Sequence, residues 1–173
     1  MTDKTILKVT AIIAVLTFAT VDSVFGFAAL SGTTSQFALA QKQGQFFDAK
    51  LTDKDEVPPK DTKATGVAEF TVIGADSMSY KVSVNNMQKV TAAHIHQGEN
   101  GPIEVTLFKT DSPSATTNGI LSQGTITSAK FKGPLAGKQL SDLINMINNG
   151  EAYVDVHTRA NPKGEIREQL SSM

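Results

Sequence analysis

Two neighbouring segments show the clearest alternation of apolar and polar residues in this chain. In the segment 64–74, Ala68, Phe70 and Val72 fall on every second position. In the segment 77–86, the alternating apolar residues are Met78, Tyr80, Val82 and Val84. A period of two is typical of strands that bury one face, and the short turn at 74–77 favours a hairpin. The pattern therefore predicts two antiparallel strands on a common core.

Shorter segments of the same kind follow along the chain, and one segment has a helical period instead. Further strands are predicted at 45–51, 91–97, 102–109, 119–131, 151–159 and 164–170. Within 138–150, the spacing of a buried helical stripe is shown by Leu140, Leu143, Ile144 and Ile147. Gly150 suits the C-terminal cap of this helix. Together these elements predict an all-β fold, an antiparallel β-sandwich or barrel with one short helix.

Composition narrows the class of protein without naming a function. The chain has 173 residues, of which 40% are hydrophobic, and this suits one globular domain with a sizeable core. Its 16 basic and 17 acidic residues are scattered, so no basic surface is available for phosphates and we expect no nucleic-acid binding. The absence of cysteine excludes disulfides, thiolate metal ligands and cysteine nucleophiles.

The first 40 residues are typical of a targeting segment. Lys4 and Lys8 precede an apolar run at 9–21, which is shorter than the ~20 residues that a spanning helix needs. We expect residues 1–40 to be an export signal cleaved after Ala40, although cleavage near 26–28 also fits a small-residue site. An uncleaved N-terminal membrane anchor is the alternative. Either way, residues 41–173 form the folded domain, secreted or extracytoplasmic, with membrane contact only through an uncleaved N-terminal segment.

The three histidines are the main candidates for chemistry. On an extended strand, residues i and i+2 lie on one side about 6.5 Å apart, so His94 and His96 share a face. His157 alternates with valines on a later predicted strand and can face away from the aliphatic side. If the two strands are neighbours, the three imidazoles could bind one ion, copper first by intrinsic affinity and zinc next. Asp155 shares the face of His157 and could be a further ligand or orient an imidazole. Hydrogen-bonding histidines at strand ends are the structural alternative.

Other motifs carry less chemistry. The acidic run at 53–56 could bind a cation, but a solvated turn ahead of Pro58 is the expected role. No phosphate-binding loop, nucleophile elbow or metalloprotease helix occurs, and no serine has a recognisable catalytic setting. We therefore assign no catalytic residue and expect a protein that is not an enzyme.

Three blocks of sequence, in order, resemble the signature blocks of the CHRD (chordin-type) domain. They are "FFDAKLTDKDEVPPKDTKATGVAEF", "TAAHIHQGENGPIEVTLF" and "GEAYVDVHTRANPKGEIREQL". The resemblance covers about residues 44–170, almost the whole of the folded part. It implies an extracytoplasmic protein with an immunoglobulin-like β-sandwich or barrel, which agrees with the strand count from the hydrophobic pattern.

A more distant similarity links such domains with copper–zinc superoxide dismutases. In those enzymes a His-x-His block supplies two copper ligands, and "HIHQGENGP" resembles it, so the similarity implies copper-ligand roles for His94 and His96. His157 would correspond to a late copper ligand. The chain has only three histidines and no cysteine, so it lacks the further zinc and bridging histidines and the disulfide. A complete dinuclear dismutase site is therefore excluded, whereas a mononuclear copper or zinc site is compatible.

Three functions remain open from the sequence. The leading hypothesis is an exported CHRD-domain protein that acts as a cell-surface or extracellular binding module for an extracellular or envelope protein, with one copper or zinc ion held by the histidines. The functional surface would then lie on the loops at 97–102 and 158–164. The second hypothesis is a copper-dependent redox protein similar to superoxide dismutase, and the third is a purely structural envelope component.

Overall fold

A computed structural model of the chain describes residues 44–173 as two antiparallel β-sheets packed as a sandwich. One sheet has five strands in the order β6-β3-β2-β1-β9, and the other has four in the order β5-β4-β7-β8. The strands are β1 (Phe46–Ala49), β2 (Thr65–Gly74), β3 (Ser77–Met87), β4 (Val90–Gln97), β5 (Ile103–Lys109), β6 (Thr117–Ile126), β7 (Ala152–Thr158), β8 (Ile166–Gln169) and β9 (Ser171–Ser172). The predicted all-β sandwich with one short helix is confirmed.

The predicted hairpin is the centre of the five-stranded sheet. β2 and β3 pair antiparallel, with Ala68 opposite Val82 and Phe70 opposite Tyr80. These alternating residues are buried between the sheets, as the period of two predicts. Partner residues on the same strands, such as Glu69, face outward to solvent.

The four-stranded sheet carries the histidines on its two central strands. β4 lies between β5 and β7 and pairs antiparallel with both. Ile95 of β4 is opposite Val154 of β7, and both are fully buried in the core between the sheets. Because side chains alternate along a strand, the residues on either side of Ile95 and Val154 point to the outer face of this sheet.

Within residues 44–173 there is one α-helix, α1 (Leu140–Asn148), which packs its apolar stripe on the core as predicted. It begins with a capping box, in which the Gln139 side chain accepts from the backbone of Asp142 and the Asp142 carboxylate accepts from the Gln139 N–H. Gly150 follows the helix with a φ of +70°, the left-handed conformation expected at a helix C-terminus.

The predicted strand at 119–131 is wrong in its second half. β6 ends at Ile126, and two short 3-10 helices follow at Ser128–Lys130 and Gly133–Leu135. Ile126 is paired with Met78, next to the first residue of β3. The partner strand therefore ends there, and a longer β6 would have no ladder to join.

The export signal or anchor expected at 1–40 lies outside the described residues, and the boundary at 41 stays a prediction. Within residues 44–173, no helix has the length and hydrophobicity that crossing a bilayer requires.

Candidate metal centre

The outer face of the four-stranded sheet brings the three histidines together. In the β4–β7 ladder, His157 is opposite Ala92, and the next pairs on this face are His94 with Asp155 and His96 with Tyr153. All three histidines therefore belong to one patch of adjacent positions. The sequence predicted that they share a face if their strands are neighbours, and β4 and β7 are neighbours.

The ring nitrogens of the three histidines converge at distances suited to one ion. One nitrogen from each of the three imidazoles lies within 4.8 Å of the others. His94 Nδ1 and His157 Nε2 are 3.2 Å apart, a distance at which one imidazole can also donate a hydrogen bond to the other. Two nitrogens bound to one tetrahedral ion at 2.0–2.1 Å lie roughly 3.3 Å apart. The strands thus hold these nitrogens near a coordination geometry without any change in the backbone.

A backbone contact determines which nitrogen His96 can offer. His96 Nδ1 lies 3.0 Å from the carbonyl oxygen of Gly101, and a carbonyl can only accept a hydrogen bond. Nδ1 therefore carries the proton, and Nε2 keeps its lone pair. Nε2 is buried and has no hydrogen-bond partner within residues 44–173. A buried lone pair without a partner, on an imidazole fixed by a backbone carbonyl, is the usual arrangement of a metal-ligating histidine.

The loop that fixes His96 depends on the glycines of "HIHQGENGP". Gly98 has a φ of +64°, and a Cβ on Gly101 would lie 1.8 Å from the Gln97 carbonyl oxygen. Only glycine therefore lets the chain turn back so that Gly101 accepts from His96. This explains why the histidine pair is followed by a turn broken by glycine.

Burial keeps all three imidazoles neutral at physiological pH. It lowers the pKa of His94 to about 3, and the neighbouring His157 adds to this effect. It lowers the pKa of His157 to about 4, and His96 contributes there. It also lowers the pKa of His96, although the contact with Gly101 opposes the shift. Neutral imidazole is the form that binds a metal ion, so protons compete weakly for this site.

Two buried carboxyl groups lie beside the triad. Asp155 Oδ2 is 3.9 Å from His157 Nε2, on the face that the two residues were predicted to share. Glu56, from the loop between β1 and β2, interacts directly with Asp155. Burial is the main cause that raises the pKa of Asp155 to about 8, and Glu56 adds to it. Burial likewise raises the pKa of Glu56.

The expected solvated turn at 53–56 is wrong for its two ends. Asp53 and Glu56 are buried, while Lys54 and Asp55 between them are exposed. Asp53 Oδ2 accepts a hydrogen bond of 2.8 Å from the Thr62 N–H, which explains its burial. The acidic run raised a cation site as an alternative, but it could not show that Glu56 turns inward, because a loop has no period that distinguishes buried from exposed positions.

An aromatic and cationic stack supports the triad from one side. The His96 ring stacks on Tyr153, with centroids 5.0 Å apart and planes 10° from parallel. The Arg167 guanidinium lies over the Tyr153 ring, 3.9 Å from its centroid. Arg167 Nη1 also donates to the Glu99 carbonyl at 2.7 Å, which fixes the loop after β4. Sequence reasoning did not predict this stack, because it depends on which strands are neighbours.

A groove of about 460 Å³ runs beside His94 at the β5 edge. Its polar lining includes Thr106, Lys109 and Lys132. The triad is otherwise enclosed, with each histidine only 8–9% exposed. The groove therefore gives the side of the site at which a small molecule or ion can approach His94.

Fold and site together define a cysteine-free β-sandwich with a buried three-histidine cluster on the outer face of one sheet. A profile of the CHRD domain matches residues 47–170, and the chain belongs to this family. It is also similar to chordin from Danio rerio, at 32% identity over 117 residues. The aligned region is 65% of this chain but only 12% of that protein, so the chain corresponds to a small part of chordin. No solved structure matches the chain significantly.

Proposed function

We propose that this chain is an exported CHRD-domain protein that binds one copper or zinc ion through His94, His96 and His157 and serves as a cell-surface or extracellular binding module. The observation that supports it best is the free, buried Nε2 of His96. It faces no protein donor, although leaving a buried polar atom unsatisfied costs roughly 1–3 kcal/mol. A metal ion at the triad would remove that cost.

The chemistry of the donors fits copper or zinc. Three neutral imidazoles suit both ions, and no thiolate is available to favour a softer one. With three protein ligands the coordination sphere keeps a position for water or for a further ligand, such as Asp155. A bound ion would cross-link β4 and β7 and stiffen the loops at 97–102 and 158–164, the surface that we propose for an extracellular or envelope protein partner.

Metal content and affinity test this proposal. The purified, tag-free protein, stripped and then exposed to Cu²⁺ or Zn²⁺, should retain one ion at the triad, measured by mass spectrometry and by competition with a chelator. His94→Ala/His96→Ala should lower the affinity by at least about 100-fold, since even residues that only orient ligands are worth 10–100-fold. Glu99→Gln, an exposed change in the adjacent loop, is the control and should keep wild-type affinity. Equal binding by the double variant and the wild type would overturn the proposal.

Export is a separate part of the proposal and rests on the N-terminal sequence. Residues 1–40 fused to a reporter enzyme that is active only outside the cytoplasm should give activity. Leu16→Arg in the apolar run should abolish this activity, because a charge breaks the hydrophobic segment that the export machinery binds. Reporter activity that is absent in both fusions would contradict export.

Redox chemistry is a second candidate, favoured by the groove beside His94. Copper at the triad would supply a one-electron redox centre, and Lys109 and Lys132 would give the groove positive charge for an anion such as superoxide. Copper-loaded protein without superoxide-dependent activity would exclude this candidate while leaving metal binding intact. A purely structural role for the histidines would instead follow from absence of binding to both ions.

A further inference from the structure

The pair of carboxyl groups next to the triad, Glu56 and Asp155, has no complete set of partners. Each residue is only 3% exposed. Glu56 Oε1 and Asp155 Oδ1 are buried, and no donor within residues 44–173 gives either oxygen a hydrogen bond. The two carboxyl groups interact with each other. Two ionised carboxylates cannot donate to each other, so an isolated pair of this kind needs either a shared proton or a cation between its oxygens.

Gly164 leaves the space in which these oxygens meet. A Cβ on this residue would stand 2.6 Å from Glu56 Oε1 and 2.7 Å from both Glu56 Oε2 and Asp155 Oδ1. Three carboxylate oxygens therefore surround one small region against the Gly164 backbone. Any residue with a side chain would fill that region. Glycine at 164 therefore leaves it open, and we call the three oxygens around it the oxygen cradle.

Among the residues that the structure describes, the nearby cationic side chains do not fill this cradle. Arg167 acts on both carboxyl groups through its charge, but its Nη1 donates to Glu99 and its guanidinium stacks on Tyr153. Lys60 also contributes only through its charge. Neither side chain gives the free oxygens a hydrogen bond, because both of these oxygens are without a partner.

The two carboxyl oxygens of Asp155 lie beside different groups. Its Oδ2 is 3.9 Å from the triad nitrogen His157 Nε2, whereas its Oδ1 belongs to the oxygen cradle with Glu56. A carboxylate that presents one oxygen to each of two adjoining places is the bridging ligand of two-metal sites, where the ions are about 3.5–4 Å apart. The arrangement thus supplies nitrogen donors on one side of Asp155 and oxygen donors on the other.

We propose that Glu56 and Asp155 form a second, oxygen-donor subsite for a divalent cation, bridged by Asp155 to the histidine triad. This proposal rests on the proposed function, since it makes the triad one half of a two-ion centre. Zn²⁺ accepts both nitrogen and carboxylate ligands and can occupy both halves, while Mn²⁺ prefers the oxygen half. The second ion would neutralise the buried carboxylates and use their free oxygens.

Counting bound zinc in matched variants tests this subsite. Metal-free protein is titrated with Zn²⁺ by calorimetry, and bound zinc is counted by mass spectrometry after gel filtration. We expect two ions per chain for the wild type and one for Glu56→Gln, which keeps the shape of the side chain and removes its charge. Asp61→Asn, the same change at an exposed position of the same loop, should keep two. His94→Ala/His96→Ala removes the triad and leaves the oxygen donors.

The outcomes separate this proposal from the proposed function. One ion in the wild type that persists in Glu56→Gln and is lost in the histidine variant would overturn the second subsite alone and leave a shared proton between the carboxyls. One ion that is lost in Glu56→Gln but kept in the histidine variant would overturn the triad and retain the oxygen subsite. No ion in the wild type would overturn both. Should Glu56→Gln fail to fold by circular dichroism, anomalous diffraction from zinc-soaked wild-type crystals decides, with two peaks about 4 Å apart expected and a single peak contradicting the subsite.

Discussion

The outer faces of the two sheets have similar sequence patterns but opposite environments. Along β3 in the five-stranded sheet, buried residues alternate with partly exposed ones over the first eight positions. Along β7 in the four-stranded sheet, all seven residues are buried, polar and apolar alike. Alternation shows which residues face away from the core, but it does not show whether water or protein covers them.

Loops make the difference by covering the four-stranded sheet. The segment after β1 is tied to β8 by two backbone hydrogen bonds between Thr52 and Arg167, of 3.0 and 3.1 Å. This connection carries Glu56 over the outer face, where it meets Asp155 and Gly164. Burying polar groups is unfavourable unless they gain partners, so a covered polar face is where a ligand-dependent role is expected.

The largest change in stability that we expect comes from filling the cradle of carboxyl oxygens at Gly164. Gly164→Ala places a Cβ within 2.7 Å of two buried carboxyl groups, at a φ of +127° that alanine tolerates poorly. Strain and displacement of the loop together should lower the free energy of unfolding by about 3 kcal/mol. Urea denaturation of the metal-free variant and wild type measures this difference.

The matched control is Gly150→Ala, after α1. Gly150 also has a positive φ, +70°, but no heavy atom lies within 4 Å of the position of its Cβ. Only the conformational cost applies there, about 1 kcal/mol. If both substitutions had equal cost, the covered face would not depend on the space at Gly164.

Protonation gives the second-largest effect on stability, and most of the groups whose pKa is shifted lie on the covered face. Folding lowers the pKa from 6.5 to about 3 at His94 and to about 4 at His157. Below pH 6.5 the unfolded chain therefore binds more protons than the folded chain. Stability from this source is complete above pH 6.5 and is lost as the pH falls toward 3. The pKa of Asp155 is raised, which has the opposite sign: its contribution is lost as the pH rises toward 8.

The metal-free protein should therefore be most stable near pH 6.5. Below it, the several histidines outweigh the carboxyl pair, and stability should fall by roughly 1 kcal/mol per pH unit. Above it, stability should fall again up to about pH 8, where only the carboxyl groups still titrate. Urea denaturation from pH 4 to 9 tests both arms. Replacing the three histidines with asparagine should remove the acidic arm and keep the alkaline one, and a stability curve without a maximum would contradict the assignment.

The sequence predicted those features of the site that depend on neighbouring residues of one strand, and not those that depend on distant segments. The i, i+2 spacing of His94 and His96 is a property of one strand, so their shared face was predictable. The meeting with His157 was conditional, because it requires β4 beside β7, a pairing of residues about 60 positions apart that no spacing reveals. Glu56 was named only as part of the acidic run at 53–56, with a solvated turn as its expected role, because its burial depends on a loop tied to β8.

The fold shows the same division between local and distant information. The hairpin of β2 and β3 and the stripe of α1 were predicted because each is encoded in one continuous segment of the chain. The error at 119–131 arose where the partner strand ends, which is information carried by a distant segment. Whether the polar face of a strand is covered is likewise decided by distant segments.

The smallest effect should come from the open face, where Lys81 and Glu69 form an ion pair across β3 and β2 with Nζ 2.5 Å from Oε2. Their side chains are 45% and 52% exposed, so water and salt screen the attraction. Lys81→Ala and Glu69→Ala, combined in a double-mutant cycle, should give a coupling of about 0.5 kcal/mol that disappears in 1 M salt. Urea denaturation of the four proteins measures it. A coupling above about 2 kcal/mol, as expected for a buried pair, would mean that the charges of this face are not solvated and that the contrast between the two sheets does not hold.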